Sequence, residues 1–208
     1  MTRPGDRFAR RPLLQALAVG GVAAAAVALS ACTTPGAMVD GVVEVSETPS
    51  AAAALRLAPP ESGTWVGRVM RIADGDTFTV EVVDAGIVGP PVGQSVRVRF
   101  LRIDTPELAH DGQPEQCWAD EATALLTALT PVGSLVTLAY DVDHLDRYER
   151  ELAHVWNEAG QWINGELLAA GAAEVATFRP NIAHDERVRS LESAAREQRR
   201  GRWGACPA

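Results

Sequence analysis

The chain has 208 residues, of which 47% are hydrophobic, and its formal net charge is −8. The length accommodates one domain of ordinary size with a real hydrophobic core, plus accessory segments. All 19 basic residues are arginines, since the sequence contains no lysine. An acidic chain of this kind excludes a protein that attracts polyanions through a basic surface spread over the whole molecule.

The N-terminus carries the pattern of an export signal over residues 1–31. An apolar stretch from Leu13 to Leu29 follows a positively charged beginning, whose charges are those of Arg3, Arg7, Arg10 and Arg11. The stretch ends in Leu29-Ser30-Ala31-Cys32, which resembles a bacterial lipoprotein box and predicts cleavage before Cys32 and a diacylglycerol on its sulfur. A simple secretory signal and a retained membrane helix are the alternatives, because Leu13 to Ala31 is long enough to span a bilayer. Arg10-Arg11 also hints at twin-arginine export, although the flanking residues are not the expected ones.

Residues 32–62 are predicted to form a flexible tether, and residues 63–208 the folded domain. The tether is rich in Thr, Pro, Ala, Ser and Gly and has few large apolar residues, a composition typical of linkers. Four of the 19 basic residues and one of the 27 acidic residues precede Cys32, so the net charge from Cys32 onward is near −11.

From the export signal and the lipoprotein box, we expect an extracytoplasmic domain that is lipid-anchored to the cell membrane, with a secreted form as the alternative.

The domain begins with strands. Three segments rich in β-branched residues, and partly alternating in hydrophobicity, predict strands from Trp65 to Ile72, Thr77 to Val83 and Ser95 to Ile103. Helical spacing of apolar residues follows from Trp118 to Leu129. Two more strands are predicted at Leu135 to Tyr140 and Glu151 to Trp156.

The C-terminal third is predicted to be mainly helical. Asn164 is a candidate cap for a short helix that runs through Leu168 and stops at Gly171. A final amphipathic helix is expected from His184 to Arg200. The residues on its inner face would be Val188, Leu191 and Ala195.

Lipidation of Cys32 would leave two cysteines. An even remainder in an exported chain predicts a disulfide between Cys117 and Cys206, and two free thiols are the alternative. The bridge would close a loop of about ninety residues and contribute about 3 to 5 kcal/mol in the chain-entropy model. A metal site on these cysteines is not supported, because no histidine lies at zinc spacing. His154, on a predicted strand, is expected to be a structural or surface residue.

Two short motifs on the predicted β segments combine three carboxylates with an arginine. The first is Asp74-Gly75-Asp76-Thr77, and the second runs from Arg99 to Asp104-Thr105-Pro106-Glu107. Calcium takes six to eight oxygen ligands, so Asp76 and Asp104 are candidate ligands from separate segments. A carboxylate left off the metal, such as Glu107, could orient or deprotonate a water. The planar fork of Arg99 matches two phosphate oxygens.

A third motif, Asp146-Arg147-Tyr148-Glu149-Arg150, adds a second arginine. Two arginines and a cation can surround the transition state of phosphoryl transfer, which gives Arg150 a role beside Arg99. The motifs also have a structural interpretation, because the first is a plain turn sequence and Thr105-Pro106 suits the start of a helix. Their joint occurrence favours the catalytic interpretation.

The ordered set of these motifs resembles the staphylococcal nuclease (thermonuclease) family over the range from about Thr64 to Trp203. The resemblance implies an α+β fold, a five-stranded OB-type β-barrel with about three packed helices, and calcium-dependent phosphodiesterase activity. It implies that Asp76, Asp104 and the backbone carbonyl of Thr105 bind Ca²⁺, that Glu107 acts on the water, and that Arg99 and Arg150 bind the phosphate. Arg147 and Tyr148 are candidate substrate-binding residues.

The chain departs from the family where the family has a pair of tyrosines near the bound nucleotide. Thr177 and Arg179 stand there, so aromatic stacking on the base is expected to be lost at these positions. Arg179 is a candidate electrostatic substitute. We therefore expect hydrolysis to be retained and substrate preference to change.

The expected function is calcium-dependent hydrolysis of DNA and RNA, as an endonuclease or exonuclease of low sequence specificity. A monomer without an obligate protein partner is expected. One alternative is a non-catalytic OB-type module that binds nucleic acid or nucleotides, since fold alone does not guarantee activity; Thr177 and Arg179 favour it. Another is a structural lipoprotein of the envelope, which would leave the three motifs unexplained.

Overall fold

The structure is a computed structural model that describes residues 56–207. The predicted signal, the predicted lipidation at Cys32 and the predicted tether up to residue 55 lie outside the described residues. Within residues 56–207, no helix has both the length and the apolar character needed to cross a membrane.

Five strands close into a barrel, and they are β1 (Thr64–Ile72), β2 (Thr77–Asp84), β3 (Ser95–Phe100), β5 (Leu135–Ala139) and β6 (Glu151–Asn157). Their order around the barrel is β1-β2-β3-β6-β5. Neighbouring strands are antiparallel except β3 and β6, which are parallel. The five-stranded OB-type barrel implied by the resemblance is thus confirmed.

Alternation along β2 and β3 fills the interior of the barrel. The inward side chains of these two strands are buried, and they are Phe78, Val80, Val82, Val96, Val98 and Phe100. The rings of Phe78 and Phe100 meet edge to face with centroids 4.8 Å apart. Because successive side chains on a strand point to opposite faces, Thr79 and Arg97 lie on the outer face.

The predicted third strand is wrong at its C-terminal end. β3 stops at Phe100, and a turn at Leu101–Arg102 precedes the two-residue β4 (Ile103–Asp104), which pairs with β7 (Glu174–Val175). Arg102 has a φ of 67°. Its buried guanidinium donates to the Thr177 hydroxyl (3.1 Å) and forms an ion pair with Asp185. These distant partners hold the turn, which the sequence Leu-Arg-Ile does not signal.

Helices of the described part pack around the barrel. They are α1 (Ala119–Leu129), α2 (Ile163–Ala169), α3 (Asp185–Glu197) and the four-residue α4 (Arg202–Ala205). The predicted inner face of the final long helix is confirmed, since Val188, Leu191 and Ala195 are buried.

The predicted helix cap at Asn164 is wrong, and so is the alternative interpretation of Thr105-Pro106 as the start of a helix. Asn164 lies within the first turn of α2 and does not cap it; its side chain accepts from the Val155 N–H and donates to the Leu101 carbonyl, both at 2.9 Å. No helix begins at Thr105-Pro106, because the chain continues as a loop up to Trp118, just before α1. A distant hydrogen-bond partner overrides the local capping preference of the asparagine.

Cys117 and Cys206 form a disulfide with an S–S distance of 2.11 Å across a sequence separation of 89 residues. The pair is the one predicted from the sequence. It joins Cys117, two positions before α1, to Cys206, directly after α4. The C-terminal segment is thereby fixed to the rest of the domain. Leu57, near the start of the described residues, also packs on the core, and its carbonyl accepts from the Trp156 indole N–H (2.6 Å).

Candidate active site

A tight turn between β1 and β2 carries Asp76 into the interior. The Asp76 N–H donates to Asp74 Oδ1 (3.0 Å), which closes the turn. Gly75 permits the close approach of the turn to its neighbours, because a Cβ there would lie 2.8 Å from Thr105 Oγ1 and 2.9 Å from Ala122 Cβ. Asp76 is left with only 4% of its surface exposed.

Arg99, at the end of β3, connects the two carboxylates predicted to bind metal. Its Nε lies 3.1 Å from Asp76 Oδ1, and its Nη2 lies 2.5 Å from Asp104 Oδ1. Its Nη1 donates to the carbonyls of Phe100 (2.8 Å) and Ile103 (2.7 Å). Of the five N–H donors of the guanidinium, three are hydrogen-bonded within the protein, and the Nε donor faces Asp76 in an ion pair. The second N–H of Nη2 is left for a ligand.

The electrostatic environment of Asp76 is short of positive charge. Asp76 Oδ1 also accepts from the Thr77 hydroxyl (3.1 Å), and Oδ2 accepts from the Thr105 N–H (2.9 Å). Burial, reinforced by the carboxylates of Asp74 and Asp104 and opposed by the charge of Arg99, raises the pKa of Asp76 to about 7. A cation beside Asp76 would favour its ionised form.

Glu107 lies on a loop held by Gln116. The Glu107 N–H donates to Gln116 Oε1 (3.0 Å), and the Gln116 N–H donates to the Glu107 carbonyl (2.9 Å). Partial burial and the carboxylates of Asp74 and Asp104 raise the pKa of Glu107 above its usual range. Its exposed carboxylate has no hydrogen-bond partner among residues 56–207. It is therefore free to bind a water.

Asp146 positions the second arginine. Its Oδ1 accepts from the N–H groups of Tyr148 (2.8 Å) and Arg150 (2.9 Å), and its Oδ2 accepts from Arg150 Nε (2.7 Å). Arg147 donates to the Tyr148 hydroxyl (2.5 Å) and lies over its ring at 4.6 Å. Among the described residues, neither Nη of Arg150 has a hydrogen-bond partner, so both remain able to bind an anion.

These groups meet at a cleft of about 610 Å³. Seven of the predicted site residues line it: Arg99, Asp104, Glu107, Arg147, Tyr148, Arg150 and Arg179. Asp76 and Thr105 are buried beside the cleft, since Asp76 pairs with Arg99 and the Thr105 N–H binds Asp76. The predicted residues are therefore neighbours, whereas their roles remain predictions.

Asp146 and Phe178 are among the other residues that line the cleft, and no role was predicted for them from the sequence. Phe178 is 59% exposed and stands between Thr177 and Arg179. The cleft therefore has an aromatic ring beside these two positions, and the loss of stacking at Thr177 and Arg179 themselves stays a prediction. The one signal in the sequence was a large aromatic residue in a polar loop segment, which is weak because single exposed apolar residues are common on protein surfaces.

The predicted metal ligands, Asp76, Asp104 and the Thr105 carbonyl, supply oxygen atoms, which are the donors that a hard cation prefers. Within residues 56–207, no group of three or more His, Cys, Asp or Glu side chains converges in a metal-binding arrangement. Asp76 and Asp104 are instead joined through Arg99. Calcium also accepts backbone carbonyls and waters as ligands, so two carboxylates with a neighbouring carbonyl are compatible with it.

The fold and the cleft define a class of proteins, the OB-type barrels with a carboxylate and arginine site at one side. Residues 97–205 match the family described as "Staphylococcal nuclease homologue". The chain is 30% identical over 136 residues to a thermonuclease of Staphylococcus hyicus, covering 65% of this chain and 74% of that protein. It is 35% identical over 138 residues to an uncharacterized endonuclease of Escherichia coli, covering 66% and 76%. The chain belongs to the staphylococcal nuclease family.

Proposed function

We propose that the protein is a calcium-dependent nuclease that hydrolyses phosphodiester bonds in DNA and RNA with low sequence specificity. The observation that carries the proposal is the meeting of Arg99, Arg150 and Glu107 at one cleft. A phosphodiester needs positive groups for its oxygens and a base for the attacking water, and the cleft offers both. Family membership and the names of the two relatives support a nuclease activity.

Asp76, Asp104 and the carbonyl of Thr105 are the groups that we expect to hold the calcium ion. The ion would supply positive charge to a phosphate oxygen and favour deprotonation of a water. The Thr77 hydroxyl and the Thr105 N–H fix the Asp76 carboxylate. Pre-organised ligands of this kind reduce the ordering cost of binding.

Glu107 accepts a proton from the attacking water. The water oxygen forms a bond to phosphorus, the bond from phosphorus to the 5′-oxygen breaks in line with it, and the 5′-oxygen takes a proton from solvent. The products carry 3′-phosphate and 5′-hydroxyl ends. The remaining N–H of Arg99 and the Nη groups of Arg150 donate to the non-bridging oxygens, where negative charge develops.

Two exposed aromatic rings, Tyr148 and Phe178, suit the bases of the substrate. Both line the cleft, with 54% and 59% of their surfaces exposed. Every base has a π face, so stacking on such rings tolerates any sequence. Arg147 and Arg179 add positive charge at the same cleft.

We also propose that the domain works outside the cytoplasm on a lipid tether at Cys32. The lipoprotein box supports this, and so does the disulfide between Cys117 and Cys206, because disulfides persist in oxidising compartments. Labelling of cells with an alkyne fatty acid tests the tether. The wild type should be labelled and Cys32→Ser should not; equal labelling of both would contradict the assignment.

Digestion of single-stranded and duplex DNA by the purified full chain, with calcium or with EGTA, tests the nuclease function. Glu107→Gln and Arg150→Lys should each lower kcat by about a hundredfold or more, the scale of a lost base or anion contact. Glu115→Gln removes an exposed carboxylate from the same loop and serves as the control. Oligonucleotide binding without cleavage would identify a non-catalytic binding module.

A further inference from the structure

The outer face of the barrel carries an arginine next to the cleft. Side chains two residues apart on a strand share a face and are about 6.7 Å apart, so Arg97 lies on the same face of β3 as Arg99. Arg99 lines the cleft, whereas Arg97 is exposed. Nη2 of Arg97 donates to the Tyr148 carbonyl (3.0 Å). Arg97 therefore adjoins the turn that forms one wall of the cleft.

A second exposed arginine lies across the sheet from Arg97, two strands away. Strand register pairs Arg97 on β3 with Thr79 on β2, and Thr79 with Arg71 on β1. Directly opposed residues have Cβ atoms about 5 Å apart, so Arg71 stands about 10 Å from Arg97 with the small Thr79 between them. Arg71 is exposed. We call Arg71, Thr79 and Arg97 the arginine row.

The arginine row is free of ion pairs in the described part of the chain. Within residues 56–207, neither Arg71 nor Arg97 forms an ion pair, whereas six other arginines do. A carboxylate near the row is Glu81 on β2, which lies opposite Arg68 and not opposite a member of the row. Two unpaired arginines on an acidic protein, beside a cleft that suits a phosphate, are complementary to a polyanion.

We propose that the arginine row binds the sugar-phosphate backbone of the substrate strand beyond the nucleotides at the scissile bond. The proposal rests on the nuclease function of the cleft. Its grounds are the continuity of the row with the cleft through Arg97 and Tyr148, and the charge left free on Arg71 and Arg97. The row makes no base-specific contact, so it favours longer strands without favouring a sequence.

The binding test compares Arg71→Gln with Arg189→Gln in the full chain. Arg189, on α3, is exposed too, and its loss changes the net charge equally. The probe is a fluorescein-labelled oligothymidylate of about twelve nucleotides, within the usual site size of OB barrels, and anisotropy is followed in EGTA over a range of salt concentrations. Arg71→Gln should bind about threefold to tenfold more weakly and lose about 0.7 from the salt slope, the value for one phosphate contact. Equal affinities and slopes for the two variants would overturn the proposal.

The kinetic test separates the arginine row from the cleft. With calcium present, Arg71→Gln should lower kcat/KM for the oligothymidylate by about threefold to tenfold and leave kcat/KM for thymidine 3′-phosphate 5′-(4-nitrophenyl phosphate) unchanged. An equal loss on both substrates would contradict the proposal by showing a general disturbance of the site. If the wild type cleaves neither substrate, the proposed nuclease function is wrong. The anisotropy measurement would still show whether the arginine row binds the oligothymidylate. If Arg71→Gln lost binding to phosphatidylglycerol vesicles but bound the oligothymidylate as the wild type does, the arginine row would be assigned to a membrane surface and the proposal overturned.

Discussion

Acid stability provides a test of the burial of His154. The side chain lies on β6 with 2% of its surface exposed, and neither ring nitrogen has a hydrogen-bond partner in the described structure. Its ring is surrounded by those of Trp156, Trp162 and His184, with centroids 6.4, 5.8 and 4.9 Å away. Burial, with the positive charges of His184 and Arg102 acting in the same direction, lowers the pKa of His154 to about 3.

The lowered pKa of His154 makes the protein less stable in acid. The unfolded chain protonates this histidine at its ordinary pKa of 6.5, whereas the folded protein does so only near 3. Between these values the unfolded state binds more protons, so the free energy of unfolding falls by about 1.4 kcal/mol for each unit of acidification. From neutral pH down to about pH 5 the loss is about 2 kcal/mol. His154→Phe removes the titration and should remove this loss.

Urea unfolding of the wild type and His154→Phe, at neutral pH and at about pH 5, measures the effect. The difference in free energy of unfolding between the two proteins should shift by about 2 kcal/mol in favour of the variant at the lower pH. His144→Gln alters an exposed histidine and should follow the wild type. A pH dependence that is the same for His154→Phe and the wild type would refute the reasoning that burial sets this pKa.

Two further predictions concern the frame of the domain. Gly75→Ala should lower the free energy of unfolding by about 1 to 3 kcal/mol, the usual range for overpacking, because its Cβ would overlap Thr105 and Ala122; thermal melting checks this, and an unchanged Tm would show that the turn shifts freely. Replacing Cys117 and Cys206 by serine should cost about 4 to 5 kcal/mol in the chain-entropy model. Urea unfolding measures that loss, and equal stability would show that the bridge does not restrict the unfolded chain.

The elements that the sequence predicted are those whose signal is local. Alternation in β2 and β3 and helical spacing in α3 follow from burial of one face, and the structure buries the expected residues. The errors at Arg102 and Asn164 have a different origin. The Arg102 guanidinium binds Thr177 and Asp185, 75 and 83 residues away, and the Asn164 amide binds a carbonyl 63 residues away. Partners at such separations leave no trace in a local pattern.

The candidate site likewise combines residues that the motifs predicted with features that only the packing of the fold determines. Carboxylates and arginines at a set spacing indicated the residues that meet at the cleft, because each motif carries its own turn or strand. Phe178 escaped, since a single aromatic in a loop has no periodicity. Asp146 and Arg150 are only four residues apart in the sequence. Their ion pair nevertheless depends on the conformation of the turn between them. Motifs therefore specify which groups are present, and the fold decides which hydrogen-bond donors remain free.

The two arginines of the cleft show why this distinction matters for function. Arg99 is 8% exposed, donates three hydrogen bonds to protein oxygens and directs its Nε to Asp76 in an ion pair. Its loss would leave Asp76 buried without its cationic partner, which is costly to the fold as well as to the site. Arg150 gives only Nε to Asp146 and keeps both Nη groups available. Arg150 is therefore the arginine with more N–H donors available for the oxygens of a phosphate as negative charge develops on them. Loss of activity in an Arg99 variant would combine two effects, the displacement of Asp76 and Asp104 and the loss of an anion contact.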